Sequence, residues 1–360
     1  MSPVNRTNPI RTVQNAANGI IRWKNITEAV EYGPKFIEAY SKNIHVLELL
    51  AEVNLPADIY NTACCWKLYK SRESTQLKKC KDSQKIGRPV WFVYSGMGSQ
   101  WERMGKDLMR LPLFRKTIQM CSDVLLPYSI DLNDLLTNEH SHVDDSVTQA
   151  FVSICSIQIA LTDVLRAAGI TPDGFIGHSF GEIACAYVDG CLTLEQCMRI
   201  AYWRGVAVEQ AKSAKGVMVA VALSWDVAVE RIRVPNVYVA CNNGEHSVTI
   251  SGHKGAMEKI VEHLDKLGYP AKTIKSAGIA FHTPLLNDAA NDYCKTIKSI
   301  ITDPKLRSAK WFVTSFPKMI KNRSVDDNTA SAEFFANNMI SPVKFYDALK
   351  SIPSDAIVIE

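Results

Sequence analysis

Gly177-His178-Ser179-Phe180-Gly181-Glu182 is the stretch on which the reading of this 360-residue chain turns. A short apolar run, Phe175-Ile176, precedes it, and a string of small residues, Ala184, Cys185 and Ala186, follows. G-x-S-x-G between a strand and a helix describes a nucleophile elbow. A serine there sits on a turn so tight that only small residues fit on either side, and its hydroxyl is pushed into a cleft. The first amides of the following helix point to the same place, where a developing oxyanion would be stabilised. A lone copy of the pattern marks an ordinary turn as readily as an elbow. The strand before it and the helix after it decide for the elbow, with Ser179 as the expected nucleophile.

Upstream, Pro89 opens a second apolar strand, 90–94, which runs into Ser95-Gly96-Met97-Gly98-Ser99-Gln100. Two glycines directly after a buried strand let the backbone approach a ligand closely. The lysine and Ser/Thr of a phosphate loop are missing, so a turn supplying backbone amides fits better. Apolar spacing predicts helices over 103–110, 112–126, 148–168 and 194–212; Phe151, Ile154, Leu161 and Leu165 form the buried face of the third, and Gly169 stops it. Strand and helix in alternation imply an α/β domain with a mostly parallel sheet. Such sheets place their sites at the carboxyl ends of strands, where both Ser179 and the 96–100 turn stand. Between 216 and 274 the order becomes β-α-β-β-α-β, that of a ferredoxin-like unit inserted into the larger domain.

The remainder of the chain is organised around this core. Residues 1–25 carry little pattern, 26–53 have helical spacing closed by Pro56, and 58–70 look like a second compact element. The Lys/Ser-rich stretch 71–88 reads as a linker, its charge a solvated connection rather than a nucleic-acid contact. The expected divisions are a small α+β linker region at 1–88, a core at 89–214 and 276–350, the insert at 215–275, and the start of a following segment at 351–360. The chain stops at Ile357-Val358-Ile359-Glu360, in what reads as the middle of a strand, which suggests a piece of a longer polypeptide.

Composition sets the outer bounds. With 47% hydrophobic and 22% charged residues, the chain is expected to be globular, with a large core and roughly two domains. A net charge of +4 without a Lys/Arg-lined face argues against a polyanionic partner. No C-x-x-C and no zinc-type Cys/His spacing occur, and Cys155, Cys185 and Cys197 lie in apolar helices, where a free thiol behaves as a small hydrophobe. The N-terminus has no signal-type apolar run, so the sequons at Asn5, Asn25 and Asn322 carry no weight. No segment reads as a membrane span. The expectation is a cytoplasmic, reduced protein without a metal.

A serine hydroxyl needs a base. Of the eight histidines, His178 is sequence-adjacent to Ser179 and points away from it on a turn, which suits a structural hydrogen bond. His140, His142, His246, His253 and His263 lie in polar contexts, and His45 in an amphipathic helix. His282, after an apolar run and before Pro284, is the candidate base; a satisfied structural histidine is the alternative. Arg204 follows Tyr202-Trp203 on an apolar helical run. It is either a surface arginine paired with a carboxylate such as Glu209, or a buried guanidinium whose planar fork could bind a substrate carboxylate.

Together these stretches resemble the malonyl/acetyl-CoA acyltransferase domains of fatty acid and polyketide synthases, most closely animal-type, insect-like fatty acid synthase. The resemblance runs from about Ile44 to Glu360. It is carried by G-M-G-S-Q-W at 96–101, T-Q-A at 148–150, G-H-S-F-G-E at 177–182 and W-R-G at 203–205, with A-F-H at 280–282 and N-N-M-I-S-P-V-K-F at 337–345. The segment before Pro89 resembles the linker between ketosynthase and acyltransferase in such synthases. The resemblance implies a hydrolase-like core and a Ser179–His282 dyad. It implies an oxyanion hole from the Met97 and Phe180 amides, Arg204 on a malonyl carboxylate, and Gln149 in the same pocket. Phe281, before the histidine, matches malonyl-type domains, where methylmalonyl-type domains carry serine. A main-chain carbonyl in the loop matched by Asn337 and Asn338 would orient His282. Phe180 departs from the usual leucine or valine, which bears on longer acyl chains. The implied reaction moves malonyl and acetyl groups from CoA to the phosphopantetheine thiol of an acyl carrier protein, with no bound cofactor. The implied partners are the carrier, the ketosynthase and other synthase domains. A serine hydrolase or thioesterase, which would need an acid between Ser179 and His282, and an inactive scaffold fragment are the alternatives.

Overall fold

The computed structural model describes residues 65–70, 74–79, 87–139, 143, 146–315 and 328–360. The helix expected over 26–53 lies outside them. Of the N-terminal region the structure shows an antiparallel hairpin, β1 (Cys65–Lys70) and β2 (Ser74–Lys79), whose second strand falls in the stretch read from sequence as linker.

The apolar run Val90–Tyr94 becomes β3, buried along nearly its whole length. The helix expected over 103–110 does not form: Arg103 takes a positive φ, and the Gly105 amide donates across to the Leu136 carbonyl instead of along its own segment. Only a 3₁₀ turn, Leu108–Arg110, remains there. Helix α1 (Pro112–Leu125) starts with its proline where no amide is needed. The short α2 (Leu132–Thr137) is capped by Asp131, and α3 (Val147–Ala167) by Ser146, whose hydroxyl accepts from the Gln149 amide. β4 (Gly174–Gly177) leads through the elbow into α4 (Glu182–Asp189), and α5 (Leu194–Gln210) opens on a Thr193/Gln196 capping box.

Helix α3 has 21 residues and holds an 18-residue window with a mean hydropathy of 1.5, so among the described residues one helix is long and apolar enough to cross a membrane. That corrects the expectation from sequence. Its apolar surface is satisfied inside the protein, against α1 and α5 in the main core, and Val152, Ile159 and Ala160 are fully buried there.

The insert comprises β5 (Val217–Val221), α6 (Trp225–Arg231), β6 (Val237–Gly244), β7 (Ser247–Gly252), α7 (Lys254–Lys266) and β8 (Ala271–Ile274). Its sheet order is β6-β7-β5-β8, antiparallel throughout, which is the ferredoxin-like arrangement expected. It has its own core, with Val248, Ile250 and Leu264 at the centre. Two connections carry the chain out of and back into the main domain, bridged at Lys215 and Ile279.

The chain then forms α8 (Asn287–Ile297), β9 (Trp311–Phe312), α9 (Ala332–Ile340), α10 (Phe345–Leu349) and β10 (Ile357–Ile359). The core sheet is parallel, in the order β10-β3-β4-β9, with Phe92 opposite Phe175 at its centre. The stretch 351–360, expected to start a following segment, thus contributes an edge strand, Ile357–Ile359, to this sheet. Ile357 pairs with Val90, and the Arg88 guanidinium donates to the Asp355 and Ala356 carbonyls.

Close approach at the elbow makes a sharp demand. A Cβ on Gly181 would lie 2.0 Å from the Tyr94 carbonyl oxygen, on the backbone of β3 itself. Backbone in the sheet centre cannot yield, so Gly181→Ala should destabilise the fold by about 1–3 kcal/mol or more. Thermal unfolding of the variant beside the parent chain checks this.

Candidate active site

Ser179 stands at the end of β4 with φ +54, on the 3₁₀ turn Ser179–Gly181 that leads into α4. The turn's internal bonds run from the Gly181 amide to the His178 carbonyl and from the Glu182 amide to the Ser179 and Phe180 carbonyls, so the Phe180 amide takes no part in them. The Gly96 turn presses on the elbow: a Cβ at Gly96 would sit 2.8 Å from the His178 carbonyl oxygen and 3.3 Å from Ser179 Cβ. This brings the segment carrying Met97 beside the serine.

His282 comes to the same point from the far side of the insert. Its Nε2 is 2.6 Å from Ser179 Oγ. Its Nδ1–H donates to the Ser341 carbonyl at 2.9 Å, and its own amide to the Met339 carbonyl at 3.2 Å. A carbonyl can only accept, so the proton sits on Nδ1 and Nε2 is left bare toward the hydroxyl. The carbonyl that takes the Nδ1–H is that of Ser341, just past the expected pair Asn337 and Asn338, and the Asn338 carbonyl also acts on the ring. Helix α9 ends later than the resemblance suggested, and Asn337 acts one step back: its Oδ1 accepts from the Ser341 hydroxyl and its carbonyl from the Ser341 amide, both at 2.9 Å. Burial lowers the His282 pKa to about 3; the positive charge of Arg204 and the proximity of His178 add to this, and the carbonyls of Ser341 and Asn338 oppose it.

Arg204, on α5, is 1% exposed. The surface pairing with Glu209 does not occur: Glu209 instead accepts from the Ser146 and Thr148 hydroxyls and the Thr148 amide. The guanidinium donates to Asn338 Oδ1 at 2.6 Å and lies 5.7 Å from the Phe151 ring centre and 5.6 Å from that of Phe180. These two rings stack 4.2 Å apart, with Phe281 6.2 Å from Phe151. Arg204 Nε has no acceptor, and no carboxylate of the described residues pairs with the group. Burial brings its pKa down to about 10, still far above neutrality. A buried cation in contact with ring faces and one amide oxygen, with the Glu182 carboxylate acting on it without a hydrogen bond, suits an anionic ligand.

Gln149 sits half-buried in the first turn of α3, where Gly205 lets the two helices close: a Cβ there would lie 2.4 Å from Thr148 Cα. His178 keeps to a structural place, its Nε2 2.8 Å from Asn243 Oδ1 in the insert. Sequence reasoning assigned no role to Ser341, Ser315 or Glu182, and read Phe151 only as core. A cavity of about 440 Å³ opens between the turn at Met97–Gln100 and the insert, along Val217 and Thr273 to Gly278. No metal-ligating cluster occurs among the described residues.

A strained serine on an α/β elbow, a neutral histidine against its hydroxyl and a buried arginine whose charge acts on that histidine make up the candidate site. Residues 91–360 match the acyl transferase domain family, and the chain belongs to it. It is 31% identical over 292 residues to a highly reducing polyketide synthase, alnA, of Emericella nidulans, covering 79% of this chain and 12% of that protein. It is 34% identical to the highly reducing polyketide synthase ltbA of Aspergillus luteorubrus, covering 75% of this chain and 8% of that one. The chain thus spans a small part of these relatives. The acyltransferase domain of the polyketide synthase PpsC of Mycobacterium tuberculosis superposes with a TM-score of 0.63 at 26% identity, covering 76% of this chain and 83% of that structure. These relatives are polyketide synthases, so the family expected from sequence holds, while they do not single out animal-type, insect-like fatty acid synthase.

The depressed pKa of His282 has a measurable consequence. The unfolded chain takes up a proton at an ordinary histidine pKa of about 6.5 and the folded site does not, so the contribution to stability is present above that value and is lost as pH falls toward about 3. Histidine NMR should show the His282 ring not titrating between about pH 5 and 8. Arg204→Met, by removing the neighbouring charge, should move its midpoint upward.

Proposed function

We propose that this domain transfers malonyl and acetyl groups from CoA to the phosphopantetheine thiol of an acyl carrier protein through an ester on Ser179, as one step of a multidomain fatty acid or polyketide synthase. The carrying observation is the 2.6 Å contact of Ser179 Oγ with the bare nitrogen of His282, beside a buried arginine without a carboxylate.

In this reading His282 Nε2 takes the Ser179 proton as the oxygen attacks the thioester carbonyl. The oxyanion forms against the Met97 and Phe180 amides. As the tetrahedral intermediate collapses, the C–S bond breaks and His282 returns its proton to the departing CoA thiolate. The carrier thiol then attacks the ester, gives its proton to His282, and the oxygen of Ser179 leaves and is reprotonated. Arg204 holds the free carboxylate of malonyl, with Gln149 and Phe281 lining the same pocket. Acetyl lacks that carboxylate and depends on the oxyanion donors and the rings of Phe151 and Phe180. The cavity between Met97 and the insert is the proposed path of the pantetheine arm. The partners in this proposal are the carrier and ketosynthase domains of the same synthase, and the setting is cytoplasmic.

The bond from His282 Nδ1 to a main-chain carbonyl occupies the position a triad acid would need, which favours transferase over a Ser-Asp-His hydrolase. Brief incubation with malonyl-CoA, acetyl-CoA and methylmalonyl-CoA separately, followed by intact mass spectrometry, tests the reading. A Ser179 adduct that disappears on adding holo carrier protein is expected; CoA release without an adduct would indicate a hydrolase, and no reaction an inactive scaffold. Arg204→Ala should lower malonyl loading by about 10²-fold or more while leaving acetyl loading within a few-fold.

A further inference from the structure

Glu182, the last residue of the elbow motif, is fully buried at the start of α4, and only its amide, not its side chain, is bonded to Ser179. Its carboxylate faces away, toward the segment after β9. The Trp311 indole donates to Oε2 at 2.5 Å, and the Thr314 amide to Oε1 at 2.7 Å. The Thr314 hydroxyl lies 2.9 Å from Oε1 and 2.7 Å from the Gly177 carbonyl, so it ties the carboxylate to the end of β4. Indole and amide can only donate, so this nest fits the ionised carboxylate.

The next residue along, Ser315, continues the line. Its hydroxyl accepts from Asn338 Nδ2 at 2.7 Å, and the other end of the same amide, Oδ1, accepts from the Arg204 guanidinium at 2.6 Å. Thr314, Ser315 and Asn338 are all buried, so water does not substitute for any of these partners. An amide has two distinct ends, and its orientation is fixed only if both are held. Without the Ser315 contact, Asn338 could turn its Nδ2 toward Arg204, setting donor against donor.

We infer that Glu182 is a positioning residue for Arg204: through Thr314, Ser315 and Asn338 it fixes the guanidinium in the orientation that receives the substrate carboxylate. The inference rests on the carboxylate-binding role proposed for Arg204. The remaining electrostatics agree with it. Tyr293 and Glu182 are the groups that hold the Arg204 pKa up against burial, and Glu182 is the carboxylate of the two. Burial pushes the Glu182 carboxyl up to about 7, against the bonds from Thr314 and Trp311 and the charge of Arg307, which favour its ionised form.

Steady-state transfer from malonyl-CoA and from acetyl-CoA, measured for Glu182→Gln, Ser315→Ala, Arg204→Ala and the Glu182→Gln/Arg204→Ala pair, tests this. Glu182→Gln is expected to raise KM for malonyl-CoA about tenfold, with kcat and all acetyl-CoA parameters within about twofold. Ser315→Ala should move malonyl selectivity in the same direction, and supplies the test if Glu182→Gln does not fold. The double variant should be no worse toward malonyl-CoA than Arg204→Ala alone, because the two act through one group. Equal losses for both donors in Glu182→Gln, or unchanged selectivity in a folded Ser315→Ala, would overturn the inference while leaving the role of Arg204 intact. Malonyl preference surviving Arg204→Ala would instead overturn the underlying reading, and the inference with it.

Discussion

The structure depends on the two backbone carbonyls at the end of α9, those of Met339 and Ser341, which take the amide and the Nδ1–H of His282. His282 has a positive φ of 59°, an unfavourable conformation for a residue with a Cβ, and two main-chain acceptors hold it there. The bond at Nδ1 fixes the tautomer and faces the other nitrogen to Ser179. A carbonyl does this without the negative charge an aspartate would bring. A carboxylate at that place would favour imidazolium and would also draw on the charge of Arg204 nearby. The neutral orienter therefore lets one small buried volume contain a base that stays unprotonated and a cation that stays charged.

The aromatic surroundings serve the same balance. Phe151 and Phe180 stack on each other and turn their rings to Arg204, offering attraction without a fixed anion. A carboxylate partner from the protein would satisfy the guanidinium and compete with a ligand. Rings and an amide oxygen leave it incompletely satisfied, with Nε unbonded. A ligand anion gains most from such a group, since the desolvation of the guanidinium has already been met by the fold.

How much of this the sequence showed follows the range over which each constraint acts. The elbow was legible because its demands are local: glycines at 177 and 181 where backbone closes on backbone, an apolar strand before and small residues after. The alternation of the core and the order of the insert were legible for the same reason. The failures have long-range causes. Residues 103–110 carry helical spacing, yet the Gly105 amide finds Leu136, outside any local window. β9 is a strand of two residues, too short for a period to show. The acceptor at Ser341 is a main-chain atom, and every residue has one. Glu182 stood in the quoted motif, but its partners Trp311 and Thr314 lie 129 and 132 residues further on.

The parallel sheet also sets an order of assembly. β3 joins β10 from the other end of the domain, so that Arg88 meets Asp355 across 267 residues of chain, whereas β6 and β7 close a hairpin within a few. Closing a long loop costs more chain entropy than closing a short one, and contacts of high sequence separation slow folding. The insert can therefore reach its antiparallel arrangement on local pairings while the sheet that carries Ser179 is still open at one edge. The strained turn of Ser179 is held where β3 and β4 lie side by side, with Gly181 against the Tyr94 carbonyl, so it depends on pairings of high sequence separation that the insert does not need.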